Sequence, residues 1–259
     1  MPNHRLINIL FKISLVFAAV VMSLCFLCAC DADTPYQRYV QAYEQFMHAE
    51  SFSANHVENL IQKSNTIADE NLSMTSVMNF AKAENGDTLT AETTMVDPEE
   101  TTHMQQYFID GVLYNKYIED PEQNYRQAQD SDFARKGISE GVLNFPEKVI
   151  AKQSSEPTAN GEILHFEFDS EKYYAYVYPE TYAESGYGGF SVYSEPPVYD
   201  VVLDNNGNII EISAAFCTVN TDYSAFTQDR KYHIVFSQYG QAAPDFSKLR
   251  ENEYKNEIK

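Results

Sequence analysis

Leu72-Ser73-Met74-Thr75-Ser76-Val77-Met78-Asn79-Phe80-Ala81 changes character with a period of two: Leu72, Met74, Ser76, Met78 and Phe80 share one side, and Ser73, Thr75, Val77, Asn79 and Ala81 the other. Successive side chains of an extended strand point to opposite faces, so the pattern predicts a strand with one face buried and one wetted. Glu84-Asn85-Gly86-Asp87 follows as a hairpin turn, and the Thr-rich run 88–96 returns from it. Asp97-Pro98 breaks that run, 102–109 forms another strand, Asp110-Gly111 turns the chain and 112–118 pairs back. Alternating runs joined by short polar turns make an antiparallel meander.

Outward from this core the same period recurs. A strand from Phe52 precedes it. A second meander comprises 149–154, the turn Ala159-Asn160-Gly161, and 163–168, where Leu164, Phe166 and Phe168 face away from His165 and Glu167. Three more strands, 199–203, 209–219 and 231–238, are separated by turns that include Asp204-Asn205-Asn206-Gly207-Asn208. Between the meanders, 131–148 reads as a helix interrupted by Gly137 and Gly141, with Phe133, Ile138, Val142 and Leu143 on one face. Asp169 and Ser170 cap either a helix bearing Tyr173, Tyr174, Val177 and Tyr178 and stopped by Pro179, or a strand with Tyr174, Tyr176 and Tyr178 on one face. Residues 185–189 read as a loop, and the charged stretch 244–259 as a surface tail. The count is eight to ten strands in two groups.

Ahead of the strands, Thr34-Pro35-Tyr36-Gln37 starts a helix: Thr34 as N-cap, Pro35 in the first helical position, Gln37 completing a capping box. Tyr36, Tyr39, Val40, Tyr43, Phe46 and Met47 recur at spacings of three and four and require one buried stripe. The fold class expected is α+β, a curved antiparallel β-sheet with an N-terminal helix and helical insertions covering its concave face.

Before the helix, Arg5 and Lys12 precede an uncharged apolar run, 13–27, that ends in Leu27-Cys28-Ala29-Cys30 and then Asp31-Ala32-Asp33. The run has the length of a secretory signal, shorter than the roughly 20 apolar residues of a membrane span. A Leu, two small residues and a Cys resemble the bacterial lipobox. The resemblance implies a diacylglyceryl group on Cys30 and cleavage before it, with residues 1–29 as lipoprotein signal peptide, 30–33 as lipidated tether and 34–243 as a single domain. Cys28 also approximates the motif; Cys30 is preferred because Ala29 precedes it and Asp31 ends the apolar run. An uncleaved anchor or an ordinary signal peptide is the alternative. Two acyl chains, at about 0.8 kcal/mol per buried methylene, hold a protein to the outer face of the cytoplasmic membrane.

The chain carries 18 Lys and Arg against 38 Asp and Glu, a formal charge of −20, and residues 1–29 contain no acid, so the remainder is more acidic still. Such a charge disfavours nucleic acid and anionic lipid headgroups. With Cys25 and Cys28 removed and Cys30 lipidated, Cys217 stays as the lone thiol, which leaves no intramolecular disulfide and no thiolate zinc site.

The lipobox, the capped helix and the phrases Phe108-Ile109-Asp110-Gly111-Val112-Leu113-Tyr114-Asn115-Lys116 and Val201-Val202-Leu203-Asp204-Asn205-Asn206-Gly207-Asn208-Ile209 together resemble a group of Gram-positive lipoproteins. In plan these are similar to the LolA/LolB-like half-barrel superfamily of lipoprotein-localisation carriers and to the LppX/LprG-like lipid-carrying lipoproteins. The resemblance spans most of 34–240 and lies in layout, not in catalytic residues. It implies a half-barrel closed by helices around an apolar cavity that receives a lipid or other hydrophobic ligand, with no enzymatic activity. The Tyr-rich segment 173–199 departs from the pattern. It suggests the alternative, an envelope protein-interaction or sensing module that uses those tyrosines as a contact face.

Met74, Met78, Phe80, Phe108, Phe166 and Phe168 are the candidate cavity-lining residues, since flexible Met and broad aromatics suit an adaptable apolar ligand. Ordinary core packing explains the same stripe. His48, His56, His103, His165 and His233 are scattered singly and read as solvent-facing strand histidines, so no metal and no cofactor is expected. Gly186-Tyr187-Gly188-Gly189 lacks the Lys and strand-to-helix setting of a phosphate cradle. No Ser sits in a nucleophile elbow, and Cys217 reads as a small buried residue.

Overall fold

The computed structural model describes residues 33–64, 69–138, 143–187, 191–220, 226–254 and 256–258. The expected signal peptide, the lipidation site Cys30, Gly141, Val142, Gly188 and Gly189 lie outside them. The described chain forms the half-barrel plan: one open, curved sheet with helices on its concave face.

Helix α1, Pro35–His48, begins as its sequence dictates. Thr34 accepts from the Gln37 backbone, and the Gln37 side chain accepts from the Thr34 amide at 2.8 Å. Strands β1 Ser51–Ser64, β2 Glu70–Ala83, β3 Gly86–Val96, β4 Thr101–Ile109, β5 Val112–Tyr117 and β6 Tyr125–Ala128 follow as a meander. The β4–β5 hairpin has a two-residue loop in which Asp110 and Gly111 both adopt positive φ, 50° and 73°, as a primed turn requires. Helix α2, Phe133–Ile138, leads to β7 Ile150–Thr158 and β8 Gly161–Phe168. Helices α3, Ser170–Val177, and α4, Pro179–Ser185, precede β9 Ser191–Tyr193, β10 Val198–Asp204, β11 Ile209–Asn220, β12 Phe226–Ser237 and β13 Asn256–Ile258.

The strands form one sheet of thirteen, not two groups, in the order β13-β6-β5-β4-β3-β2-β1-β12-β11-β10-β8-β7, with β9 added beside β11. The joint between the meanders is the antiparallel pair β1–β12, in register from Ser53↔Ser237 to Ser64↔Phe226. All pairs are antiparallel except β13–β6. At the β7–β8 turn, Gly161 has φ +148° and packs so closely that a Cβ there would lie 1.9 Å from the Leu203 carbonyl oxygen.

The concave face holds the main core. α1 buries Tyr39, Ala42 and Phe46. Tyr39 stacks on Phe145 at 4.6 Å and meets Phe166 edge-on, while Phe46 packs on Phe52 and Phe236. Burial of each such ring contributes about 1.5–3 kcal/mol. Outward-facing positions of the strands are largely polar, as the alternation requires.

Two features differ from the sequence reading. Among the described residues of 131–148, the α-helix expected there covers Phe133–Ile138 as α2, whose turns meet β3, while Phe145 lies in irregular chain and Val149 in a single 3-10 turn, and Leu143, Phe145 and Val149 all reach the core. Of the segment 244–259, expected as a surface tail, the described residues 244–254 cross the convex face and 256–258 form β13. Phe246, Leu249 and Tyr254 cover Tyr107, Ile109, Val112 and Tyr114, and β13 pairs with β6. Tyr107 and Tyr114 point away from the main core, so a second apolar cover is needed there. Tyr254 meets Tyr114 edge-on at 5.1 Å.

One buried cation ties the pieces together. Arg135 of α2 is 6% exposed, donates to the carbonyls of Phe46, Met47 and Ala49 at the end of α1, and lies 3.7 Å from the Asp87 carboxylate of β3. Its guanidinium stands 4.6 Å from the centre of the Phe80 ring. A helix C-terminus leaves carbonyls without partners and carries partial negative charge, and Arg135 satisfies both needs. Arg135→Met is expected to destabilise the fold by about 3–5 kcal/mol in urea denaturation, because Asp87 is left buried and unpaired. Adding Asp87→Leu is expected to recover part of that loss.

Candidate functional site

Along β1 the concave positions run Phe52, Ala54, His56, Glu58, Leu60: the first two are buried and the last three partly open. The same grading occurs along β12, from Phe236, Ile234 and Tyr232 to Arg230 and Gln228, and along β11, from Ile212 and Ala214 to Phe216 and Thr218. Register places these half-open ends side by side, with Leu72, Leu60, Arg230 and Phe216 forming one rung. Here the helical cover stands away from the sheet and leaves a cleft of about 830 Å³. Drug-sized and lipid-sized ligand pockets fall in a range of roughly 300–1,000 Å³.

The floor of the cleft comprises the rungs just named and Tyr199 of β10. α3 supplies the roof with Tyr173, Tyr176 and Val177, continued by Tyr178, and Tyr193 of β9 and Phe145 close one side. Leu60 and Leu72 on the sheet, and Val177 and Tyr178 on the roof, form an apolar rim, of which Leu72, Val177 and Tyr178 are exposed.

His56, Glu58, Arg230 and the Tyr232 hydroxyl bring charge and titratable groups to this floor. The Arg230 Nε lies 2.7 Å from Glu58 Oε1, and His56 Nε2 is 3.8 Å from Glu58 Oε2. Burial pushes the His56 pKa below its ordinary value, against the pull of Glu58. The Tyr232 hydroxyl and His56 Nε2 are buried without a hydrogen-bond partner among the described residues, and burial holds the Tyr232 phenol well above its usual pKa. Phe216 and Tyr232 contact each other at 5.7 Å, and Tyr173 stacks on Phe216 at 5.9 Å.

Of the six residues chosen from the sequence, Phe80, Phe108, Phe166 and Phe168 are fully buried in the core, and Met78 packs against it. Met74 faces the concave side beside Glu58. Those aromatics support α1, α2 and the Phe145 segment, and none of the six is among the described residues that line the cleft. Of the lining residues, His56, Glu58, Gln228 and Arg230 fall outside any apolar stripe because they are polar at positions of inward parity. A polar side chain in step with Phe52 and Ala54, or with Phe236 and Ile234, is the signal that marks them. His103, His165 and His233 are half-exposed beside Glu119, Asp200 and Glu211, whereas His56 faces inward. Cys217 is half-buried, and burial followed by Asp229 raises its pKa.

The Tyr-rich segment also turns inward. Tyr173, Tyr174, Tyr193 and Tyr199 are buried, which leaves Tyr176, Tyr178, Tyr182 and Tyr187 to reach solvent and removes most of the expected contact face. Residues 170–177 form the helix of the two alternatives, capped by the Asp169 carboxylate, which accepts from the Lys172 amide at 3.1 Å. That hydrogen bond holds the Asp169 pKa below the ordinary carboxylate value. The capping stabilisation is therefore present above the unfolded-state pKa and is lost as pH falls through the depressed folded value. Asp169→Ala is expected to cost about 0.5–2 kcal/mol. Hydrogen exchange should show faster opening of 170–177 than of β10–β12.

No family model and no curated protein sequence matches the chain. Among solved structures it is similar to a LolA superfamily protein from Nitrosomonas europaea, at 9% identity and TM-score 0.29, over 85% of this chain and 99% of that one. It is also similar to a domain assigned to outer membrane lipoprotein sorting from Vibrio parahaemolyticus, at 9% identity and TM-score 0.24, over 84% and 94% of the two chains. A β-barrel-like protein of a domain of unknown function from Brucella abortus gives 9% identity and TM-score 0.23, over 74% and 99%. The class is set by the strand order and register of this chain itself: an open antiparallel half-barrel with a helical lid. Among the described residues no helix is long and apolar enough to cross a membrane.

Proposed function

We propose that this protein is a non-enzymatic, extracytoplasmic binding protein, held to the outer face of the cytoplasmic membrane by lipid on Cys30, that takes a lipid or other hydrophobic ligand into its concave cleft. The observation that carries the reading is the cleft itself: a volume of about 830 Å³ walled by Phe145, Tyr173, Tyr193, Tyr199 and Phe216, opening through an apolar rim. A sheet that needed only a core would be covered along its whole concave face. Here the inward positions of β1, β11 and β12 stay open at one end, and aromatic rings line the gap. Broad, rigid rings bury much apolar ligand area with little loss of side-chain freedom.

Anchoring agrees with the position of the folded part, since α1 starts at Pro35 and leaves only a few residues after Cys30. Cys30→Ala is expected to abolish acyl labelling and to release the protein from membranes on fractionation; retention of both properties would refute the anchor. For the cleft, protein purified without detergent should release close to one lipid equivalent into organic solvent. Thr218→Trp, which places an indole in the lined volume, should cut that yield severalfold with unchanged circular dichroism. Unchanged recovery from the Trp variant would move the ligand elsewhere.

A further inference from the structure

The cleft is not uniformly greasy, and its polar groups define what sort of head an amphiphilic ligand presents. Arg230 is the one Lys or Arg among the described lining residues. A guanidinium has five N–H donors. Glu58 takes the Nε side, and the two Nη groups have no partner among the described residues. Two residues along the same strand and on the same face, the Tyr232 hydroxyl is a second donor with no partner among the described residues, on a residue only 8% exposed. Gln228 continues the same strand face. These groups call for an acceptor.

Charge decides which acceptor. The Glu58 side chain is 16% exposed and already engaged by Arg230, while the Arg230 side chain is 54% exposed. Of the two, the positive partner is the one a ligand meets. A cationic head would have to displace Arg230 from Glu58, and a neutral head would accept from the guanidinium without the attraction between opposite charges and without the paired anionic oxygens that match its fork. The net charge of −20 acts against an anion only at long range, where salt screens it, and not at contact.

On the reading that the cleft holds a hydrophobic ligand, we propose that it selects amphiphiles with an acidic oxygen head group, a carboxylate or a phosphate, bound end-on by Nη1 and Nη2 of Arg230 with the Tyr232 hydroxyl as a further donor. Glu58 is a positioning residue that holds the guanidinium over the floor. The acyl chain lies along Phe216, Tyr199 and Tyr173, which adjoin Arg230 and Tyr232 in register and ring contact.

The test uses the full chain reconstituted in phosphatidylcholine vesicles and four diazirine probes with one common alkyl chain, headed by carboxylate, phosphate monoester, glycerol ester or trimethylammonium. Photolabelling of peptides from β10 to β12 is quantified by mass spectrometry. The acidic probes are expected to label these peptides at least about tenfold more than the other two. In Arg230→Gln the advantage should vanish while the glycerol ester still labels, and in Tyr232→Phe it should fall about two- to threefold. The ratio of carboxylate to phosphate labelling separates a fatty-acid source from a phospholipid one. Equal labelling by acidic and glycerol probes, or an acidic advantage that survives Arg230→Gln, would overturn the head-group assignment and leave the apolar cleft standing. Absence of cleft labelling by every probe would overturn both.

Discussion

The pairing of β1 with β12 is the constraint on which both the fold and the cleft depend. Twelve residue pairs, Ser53↔Ser237 through Ser64↔Phe226, join the first strand of the N-terminal meander to the last long strand of the C-terminal one. Without this ladder each meander would have a long open edge, and α1 would have no continuous concave surface to cover. The ladder also sets parity. Because a shift of one residue turns every side chain to the opposite face, the register that buries Phe52 and Phe236 is the one that puts Glu58 and Arg230 into the cleft together.

The helical cover is held by side chains of a different kind at its two ends. At the C-terminus of α1, Arg135 gathers three carbonyls, the Asp87 carboxylate and the Phe80 ring in one buried cluster. Toward its start, the Tyr36 hydroxyl donates to the Phe145 carbonyl oxygen at 3.2 Å, and the Tyr36 amide donates to Gln153 Oε1 at 2.9 Å. Between these fixings the aromatic core is continuous, and beyond them the cover lifts. The cleft lies where α3, resting on Phe168 and Tyr193 through Tyr173, takes over from α1. Structure and site thus share residues: Phe145 supports Tyr39 of the lid helix on one side and lines the cleft on the other.

A filled core and a hollow one read alike along a strand, which explains how much of the site was legible. Alternation in 72–81 and 163–168 placed Phe80, Phe166 and Phe168 on the concave face, and they are there, fully buried. Whether a concave residue meets a lid or empty space depends on how far a helix from elsewhere in the chain extends, and that length is set by packing against Phe52, Phe145 and Phe236. His56, Glu58, Gln228 and Arg230 broke the apolar alternation, and a polar residue at inward parity looks in sequence like a lapse in the pattern. In the folded sheet these lapses coincide at one place and become the polar end of a binding site.

By itself the sequence determined the elements whose causes are local: the Thr34-Pro35-Gln37 cap, the turn at Asp110-Gly111 and the antiparallel meander strands, with 170–178 left open between a helix and a strand. Each depends on residues within a few positions of one another, so chain order carries the information. Only the tertiary structure decided that two meanders form a single sheet, that 244–254 straps the convex face through Phe246, Leu249 and Tyr254, and that Arg135 meets Asp87. Those contacts join positions far apart in the chain, where no periodicity links one partner to the other. They form because the cost of leaving an apolar face wet, or a charge buried alone, is felt only once the chain has folded back on itself.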